Sequence, residues 1–328
     1  MSSVSADPRM STGSRATAGA TGTVTVTVAA TSANLGPGFD CLGLALDLRD
    51  RVTVVASAPR DGRPATTECT VTGHGAGTVP TDADHLVAAT LRAGLAELLP
   101  GATQPDLLLD CSNDIPHGRG LGSSAAAMVA GLAAAWELAA LRADLQPEER
   151  VPWLVDRASA LEGHGDNAGA AVLGGAIVAW TEAERYRALP LTVDPTLELV
   201  VAVPQAVLPT HLARAMLSPT VSRGDAVFTG AHTVVLAHAL AGRRDLLLAG
   251  TADRLHQDAR TEAMPETLSL VRSLRAVGIA AVVSGAGPAV LTFGAPAAAV
   301  ADRAGSHWWI HRSELGRGVE IVDTALNG

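Results

Sequence analysis

The sequence predicts an α+β protein of two domains, and three observations lead to this prediction. Short runs with strand-like alternation are mixed with longer helical runs, without the regular order of a doubly wound parallel sheet. The pattern begins again with a buried strand after the charged stretch Glu182–Arg187. A chain of 328 residues is long enough for two domains of ordinary size. We therefore place a disordered tail at residues 1–22, a first domain at 23–187 and a second domain at 188–328.

The first domain is predicted to begin with a strand and to contain a long apolar helix. Thr and Val alternate from Thr23, which is the period of a strand, and the run after Met128 consists almost entirely of helix formers. The predicted strands are Thr23–Ala29, Asp50–Ala56, Leu107–Cys111 and Leu173–Trp180, and the predicted helices are Asp84–Leu99, Met128–Leu141 and Glu148–Leu161.

The second domain is predicted to have the same mixed character. Its first strand is an apolar run, and three helical stretches follow before the remaining strands close the domain. The predicted strands are Glu198–Val203, Ala280–Val283, Val290–Phe293 and Glu320–Asp323, and the predicted helices are Phe228–Leu240, Arg243–Leu255 and Pro265–Val277.

The composition excludes several classes of protein. The net charge of -9 offers no basic patch for nucleic acid. The three cysteines are widely separated, which indicates a reducing compartment and no zinc site, so we expect a cytoplasmic protein. We find no signal peptide and no uncharged apolar run of about 20 residues, so no membrane span is expected.

The chain contains no lysine, so all 24 basic residues are arginines. This excludes a Walker A NTPase, an enzyme that forms a Schiff base and a protein kinase of the usual kind, because each of these needs a lysine. A polyanionic ligand would have to be held by arginine, backbone amides and a metal ion.

The stretch Ile115–Ala126 predicts a phosphate site. Gly118, Gly120 and Gly122 let backbone N–H groups approach a ligand closely, and Ser123 and Ser124 stand at the start of the long helix. Serine hydroxyls at such a loop suit Mg²⁺. The alternative is a glycine-rich connection between a strand and a packed helix.

Together with two further blocks, this loop resembles the GHMP small-molecule kinases, and within them the homoserine kinase branch. The other blocks are Ser32–Asp40, which reads SANLGPGFD, and Val283–Pro288, which reads VSGAGP. The resemblance runs from about Thr23 to about Asp323. It implies a first domain like domain 2 of ribosomal protein S5, a ferredoxin-like second domain, and ATP and Mg²⁺ as cofactors.

The resemblance also implies a nucleotide and metal site. Ser124 and Glu162 would bind Mg²⁺, and Glu162 has the alternative of a solvated residue at a helix end. The residues expected to hold ATP are Pro116, Gly118, Arg119, Gly120, Leu121, Gly122, Ser123, Ser124 and Ala125.

The acceptor hydroxyl would face His164, Asp166 and Asn167, which with Glu162 form the implied catalytic set. Related kinases use an aspartate in this region as a general base, whereas homoserine kinases are thought to work without one. Asp166 is therefore either a base within reach of the hydroxyl or a carboxylate that caps the next element and orients Asn167.

The ends of an amino acid acceptor are assigned by the same resemblance. Asn34 and Asp40 match the positions for the ammonium group, and Arg214, which follows Thr210, matches a position for the carboxylate together with Arg260. Arginine suits that task because its planar fork binds a carboxylate through two bonds. The expected substrate-binding residues are Asn34, Asp40, His164, Asn167, Thr210, Arg214, Arg260, Gly285, Ala286 and Gly287.

The implied activity is ATP-dependent phosphorylation of L-homoserine to O-phospho-L-homoserine, a step of threonine biosynthesis. Two alternatives stay open: a related kinase acting on another small hydroxy amino acid such as threonine, and a nucleotide- or metabolite-binding relative without catalysis. A homodimer is also left open. The acceptor is in question because the chain departs from the family pattern at His85, Gly165, Ala168, Thr229, His232 and Ala289.

Overall fold

The computed structural model describes residues 21–59 and 63–325. The predicted tail lies outside these residues except for its last two positions. The strands are β1 (Gly22–Ala33), β2 (Leu42–Ser57), β3 (Thr67–Gly73), β4 (Asp106–Asn113), β5 (Ala176–Glu182), β6 (Arg185–Leu191), β7 (Leu199–Pro204), β8 (Ala280–Val283), β9 (Val290–Phe293), β10 (Trp308–Ser313) and β11 (Glu320–Ala325).

The larger sheet of the described residues has seven strands. Five of them follow the order β11-β1-β2-β4-β3, and β5 pairs with the start of β2 and with β6. The pairs are antiparallel except for the parallel pair of β3 and β4. The pairing of β1 with β2 is irregular between Ala29 and Thr31 and then continues to Ala33, which pairs with Gly43. The loop between these two strands therefore begins directly at the end of the sheet.

The smaller sheet has four antiparallel strands in the order β10-β7-β9-β8. Along the chain these strands and their helices follow the sequence strand, helices, strand, strand, helix, strand, which is the ferredoxin-like arrangement. The prediction of an α+β fold in two parts is confirmed, together with the ferredoxin-like order of the second part.

The helices are α1 (Leu86–Leu98), α2 (Ser123–Ala140), α3 (Pro147–Glu162), α4 (Asp166–Leu173), α5 (Thr210–Ala215), α6 (Arg223–Leu240), α7 (Leu247–Gly250), α8 (Pro265–Arg275) and α9 (Ala297–Ala304). The alanines of α2 let it pack closely against α1 and β1 in the main core. Within the described residues α2 is the single helix long and apolar enough to span a membrane, but 72% of it is buried inside the protein. It is therefore a core helix.

Two predictions about the second part are wrong. Glu320–Asp323 does not close the smaller sheet, because β11 pairs with β1 at the edge of the larger one. The predicted helix Arg243–Leu255 is a 3₁₀ turn followed by the short α7. It stops there because the carboxylate of Asp253 accepts the N–H groups of Leu255, His256 and Gln257, which turns the chain.

Candidate active site

The three sequence blocks meet at one place between the two sheets. Ser284 Oγ lies 2.9 Å from Ser32 Oγ and 2.7 Å from the carbonyl oxygen of Gly120. The N–H of Gly285 donates to the carbonyl of Ala33 at 3.1 Å. The loops from the beginning, middle and end of the chain are therefore joined directly through hydrogen bonds.

The glycine loop ends where α2 begins. Gly122 is the N-cap residue with φ +67°, and Ser123 and Ser124 are the first two residues of α2. A Cβ at Gly122 would overlap Thr31 Oγ1, and one at Gly120 would overlap the carbonyl oxygen of Ser284. Only glycine fits at these two points, so the backbone N–H groups at the positive end of the helix stay accessible to an anion.

A cavity of about 140 Å³ opens in front of this loop. It contains most of the predicted site residues, which were assigned from widely separated parts of the sequence. Its lining residues are Ala33, Asn34, Phe39, Asp40, Gly118, Gly120, Leu121, Gly122, Ser123, Ser124, Glu162, His164, Asp166, Asn167, Thr210, Arg214, Arg260, Gly285 and Ala286. We call it the acceptor cavity.

Asn34 positions the first block rather than pointing a free amide into the cavity. Its Nδ2 donates to the carbonyl of Gly285 at 2.9 Å, and its Oδ1 accepts the N–H of Asp40 at 3.0 Å. Asn34 and Asp40 both have positive φ, at 69° and 57°. Because Asn and Asp tolerate this conformation better than other residues with a side chain, the turn can present the Asp40 carboxylate to the cavity.

Glu162 and Ser124 offer two oxygen ligands on the wall of the same cavity. Glu162 is the last residue of α3, and its Oε2 is buried without a hydrogen-bond partner in the described structure. Burial raises the pKa of the Glu162 carboxyl to about 7, with a smaller rise from Asp166, against the effect of His164 and Arg214. A buried carboxylate oxygen without a partner beside a serine hydroxyl fits the hard oxygen donors that Mg²⁺ prefers.

His164, Asp166 and Asn167 form a connected group at the start of α4. Asp166 Oδ1 lies 2.7 Å from His164 Nδ1 and accepts the N–H of Asn167 at 2.7 Å. Burial lowers the pKa of His164, but the hydrogen bond and charge of Asp166 outweigh this and raise it above its ordinary value. Thr31 Oγ1 donates to Asn167 Oδ1 at 2.8 Å, which leaves the amide nitrogen of Asn167 as the group for a ligand.

Asp40 and Arg214 bind each other. Arg214 Nη1 donates to Asp40 Oδ2 at 2.9 Å and Nη2 donates to Oδ1 at 2.6 Å. The guanidinium carbon of Arg214 also lies 5.5 Å from the centre of the Phe39 ring. The two groups expected at opposite ends of an amino acid are therefore each other's counterions in this structure.

Arg260 is held from behind by buried partners. Its Nε donates to the carbonyl of Ala213 at 3.0 Å, and its Nη1 lies 2.9 Å from His256 Nδ1. The other ring nitrogen of His256 donates to the carbonyl of Gly36 at 2.8 Å. Burial lowers the pKa of His256, so the neutral ring both accepts from Arg260 and donates to the first block.

A second cavity of about 270 Å³ shares Ser123 and Ser124 with the acceptor cavity. Apolar side chains line much of it, with a few polar groups that include His85 and Asn113. We call it the base cavity, because an apolar pocket beside a phosphate loop suits a nucleobase. Its full lining is Asp50, Val52, Val79, Pro80, Asp84, His85, Leu86, Val87, Asn113, His117, Ser123, Ser124, Ala126, Ala127 and Ala130.

Known proteins match both parts of the chain. The family model of the GHMP kinase N-terminal domain matches residues 85–175, and that of the C-terminal domain matches residues 236–309. Homoserine kinase of Mycobacterium sp. (strain KMS) is 47% identical over 305 residues, covering 90% of this chain and 94% of the relative. The chain belongs to the GHMP kinase family. Homoserine kinase of Cutibacterium acnes is 49% identical over 273 residues, covering 83% and 88%.

The fold of this GHMP kinase has solved counterparts. The crystal structure of homoserine kinase from Cytophaga hutchinsonii matches with a TM-score of 0.76 at 22% identity, covering 92% of this chain and 97% of that one. The predicted two-domain GHMP kinase architecture is thereby confirmed.

Four residues predicted to contact ligands do not line the acceptor cavity: Pro116, Arg119, Ala125 and Gly287. The side chain of Arg119 turns away, because its Nε donates to the carbonyl of Pro204 at 3.1 Å and its Nη2 to that of Gln205 at 3.0 Å. In this GHMP kinase the Arg119 guanidinium thus ties the loop to the end of β7, and a nucleotide could meet only its backbone.

All six departures from the family pattern lie outside the lining of the acceptor cavity. Among the described residues, Gly165, Ala168, Thr229, His232 and Ala289 are all absent from the lining of the acceptor cavity. Ala168 and Ala289 are fully buried, and His232 Nδ1 lies 2.7 Å from the carbonyl of Ala249. His85 instead lines the base cavity. The acceptor cavity of this GHMP kinase therefore keeps its predicted polar groups despite these changes.

Several residues of the site were missed in the sequence. Thr31 bonds to Asn167, and Ser284 joins the first block to the glycine loop. His256 accepts from Arg260, and the ring of Phe39 lies against the Arg214 guanidinium. Thr31 directly precedes the SANLGPGFD block, and Ser284 lies within the last block, so adjacency to these motifs was an available signal. His256 stands four residues before Arg260 in the chain, but its contact with Gly36 is visible only in the fold.

Proposed function

We propose that this GHMP kinase transfers the γ-phosphoryl group of ATP to the side-chain hydroxyl of L-homoserine, which gives O-phospho-L-homoserine. One observation carries the proposal: a single cavity joins the N-terminal end of α2 to the carboxylate of Asp40 and the guanidinium groups of Arg214 and Arg260. A phosphate and a zwitterionic amino acid can therefore lie next to each other. The relatives at 47% and 49% identity are named homoserine kinase.

The phosphate end is served by the backbone and by hydroxyl groups. The N–H groups of the glycine loop and the first turn of α2 would bind the β- and γ-phosphates, and the base would enter the base cavity. Ser124 and Glu162 would hold Mg²⁺, which neutralises charge on the phosphates when bound. The unpartnered Glu162 Oε2 supports this assignment.

The acceptor hydroxyl would be held by the Asn167 amide. Since Thr31 occupies Asn167 Oδ1, the amide nitrogen is the donor that can bind the hydroxyl oxygen and fix its line of approach to the phosphate. Asp166 Oδ1 is already shared between His164 and the N–H of Asn167, which supports the capping and positioning role for Asp166. His164 would then add a hydrogen-bonding group beside the hydroxyl.

The remaining sequence predictions stay predictions. They are the biological setting in threonine biosynthesis, the cytoplasmic location and the homodimer. The three cysteines have free thiols in the structure, which is consistent with a reducing compartment.

An acceptor panel tests the proposed reaction. Purified protein with ATP and Mg²⁺ should release ADP with L-homoserine at a rate well above that with L-threonine, L-serine or no acceptor. Asn167→Leu, which keeps the size of the side chain but removes the amide, is the matched control for a contaminating kinase. ADP release with threonine alone would establish the second kinase alternative, and ATP binding without ADP release would establish a non-catalytic protein.

A further inference from the structure

The Asp40–Arg214 pair occupies the position that the ends of the acceptor need. Both carboxylate oxygens of Asp40 accept from Arg214, so the Nη1–Nη2 face of the guanidinium and one acceptor site on each oxygen are already used while the pair stands. The pair lies at the cavity mouth, with 32% of the Asp40 side chain and 44% of the Arg214 side chain exposed. A ligand from solvent therefore meets this pair and competes with it for the two-bond face of Arg214 and for the Asp40 carboxylate.

Each member of the pair lies next to charges of its own sign. Carboxylate oxygens of Asp40 and Asp166 and a ring nitrogen of His164 lie within 4.8 Å of one another. On the other side, burial and then the charge of Arg214 lower the pKa of Arg260 to about 10. Breaking the pair without new counterions would leave Asp40 beside Asp166 with His164 as their shared neighbour, and Arg214 beside Arg260, so each member would lose its nearest opposite charge.

A zwitterion removes this cost. Its ammonium group can take the place of Arg214 beside Asp40 and Asp166, and its carboxylate can take the place of Asp40 beside Arg214 and Arg260. One ion pair is then exchanged for two, and no charge is left without a partner. A ligand with only one of these charges replaces the partner of one residue and leaves the other without the two-bond partner that it had.

We propose that the Asp40–Arg214 pair is a latch over the acceptor cavity that a zwitterionic α-amino acid opens and that a singly charged alcohol does not. The proposal rests on the proposed function and adds the reason for its substrate class. Arg214 belongs to α5, a helix of six residues whose one buried residue is Ala213, so few packing contacts hold its side chain in place. Selection against hydroxy acids and amino alcohols is thus set by the closed state as well as by the contacts in the bound state.

The test uses singly charged analogues of homoserine. 4-Hydroxybutyrate keeps the carboxylate and the reacting hydroxyl, and 3-aminopropan-1-ol keeps the ammonium group and the hydroxyl. Asp40→Asn removes the latch but leaves Arg214, and Asn tolerates the positive φ of this position. The kcat/KM for 4-hydroxybutyrate should therefore rise by about fivefold, which is the size expected for release of an exposed ion pair.

The second arm exchanges the roles. Arg214→Gln leaves Asp40 free, so kcat/KM should rise by about fivefold for 3-aminopropan-1-ol and should not rise for 4-hydroxybutyrate. Both variants should lose activity with homoserine. A general loosening of the cavity would raise kcat/KM for both analogues in both variants.

The control is Arg243→Gln, which breaks an exposed two-bond pair with Asp245 and should leave every rate unchanged. The latch proposal is overturned if kcat/KM rises neither for 4-hydroxybutyrate in Asp40→Asn nor for 3-aminopropan-1-ol in Arg214→Gln. Undetectable turnover of the analogues in both wild type and variants counts as no rise. Homoserine turnover by the wild type is measured in the same assays. Its absence would overturn the proposed function itself, so the two failures are distinguishable.

Discussion

The two halves of the acceptor cavity are built in different ways. The phosphate half consists of the loop Gly118–Ser124, whose carbonyl groups accept hydrogen bonds from Ser284 Oγ and from the N–H groups of Thr31 and Ala289, and which ends at the start of α2. The acceptor half consists of charged side chains, chiefly Asp40, Arg214 and Arg260, which exchange partners more easily than a backbone does. We therefore expect the phosphate half to tolerate no added atom and the acceptor half to tolerate change with altered specificity.

The largest expected effect comes from one methyl group in the phosphate half. Gly122→Ala would place a Cβ against Thr31 Oγ1 and 3.1 Å from Asn167 Oδ1, so the loop and the Asn167 amide must both shift. Displacements of this kind cost about a hundredfold in rate. We expect kcat/KM with homoserine to fall by about that factor, measured by ADP release in a protein that still unfolds cooperatively.

Two further glycines separate the causes of this loss. Gly278 also has positive φ, at 85°, but a Cβ there would meet nothing within 4 Å, so Gly278→Ala measures the backbone strain alone. Gly285 belongs to the acceptor half, and its Cβ would lie 3.3 Å from the carbonyl oxygen of Gly120. If Gly285→Ala proved as damaging as Gly122→Ala, the contrast between the halves would be wrong.

A moderate effect is expected where the halves join, at Thr31. Thr31→Val keeps the shape of the side chain but removes the donor to Asn167 Oδ1, so the amide is free to rotate. The loss of one hydrogen bond of ordinary strength corresponds to about tenfold in rate. We expect kcat to fall by about this factor while KM for ATP stays near its wild-type value.

Thr31→Ser should restore most of the lost rate, because it keeps the hydroxyl and loses only a methyl group. Thr31 is fully buried, so a purely structural role predicts similar damage from serine and valine. Equal kcat values for the two variants would therefore contradict the positioning of Asn167 by Thr31.

The same contrast explains what the sequence could predict. The phosphate half is local: its glycines, serines and helix stand within Gly118–Ala140, and their spacing alone indicates an anion site. The pair of Asp40 and Arg214 joins positions 174 residues apart, and both residues were assigned to a substrate. No periodicity reports such a contact, because it depends on how β7 and α5 lie against the first block.

Strand pairing failed for a similar reason. Alternation in Glu320–Asp323 identifies a strand but not its partner, and proximity in sequence favoured the smaller sheet. In the structure β11 passes back to β1, where Thr25 pairs with Asp323. The turn at Asp253 was also missed, because the apolar spacing before it continues the helical pattern. The turn is made by the Asp253 carboxylate, which accepts three backbone N–H groups.

The smallest expected effect concerns stability and comes from Asp50, on the wall of the base cavity. This carboxylate is 8% exposed and accepts the N–H of Ile115 at 2.9 Å, just before the glycine loop. Burial raises its pKa to about 7, against the hydrogen bonds from Ile115 and Asp114. Because the unfolded chain loses this proton above about pH 4 and the folded chain keeps it up to about pH 7, the folded state holds more protons between these values, and stability falls as pH rises through this window.

Asp50→Asn keeps an acceptor oxygen for Ile115 and removes the charge. Its stability should match that of the wild type near pH 4 and exceed it at pH 8 by on the order of 1–3 kcal/mol, measured by urea unfolding across the pH range. The exposed Asp302→Asn is the control and should keep the pH slope of the wild type. If Asp50→Asn also kept the pH dependence of stability of the wild type, the proposed effect of the buried Asp50 charge would be wrong. The phosphate half would then owe its shape to backbone contacts without a buried charge, in contrast to the charged acceptor half.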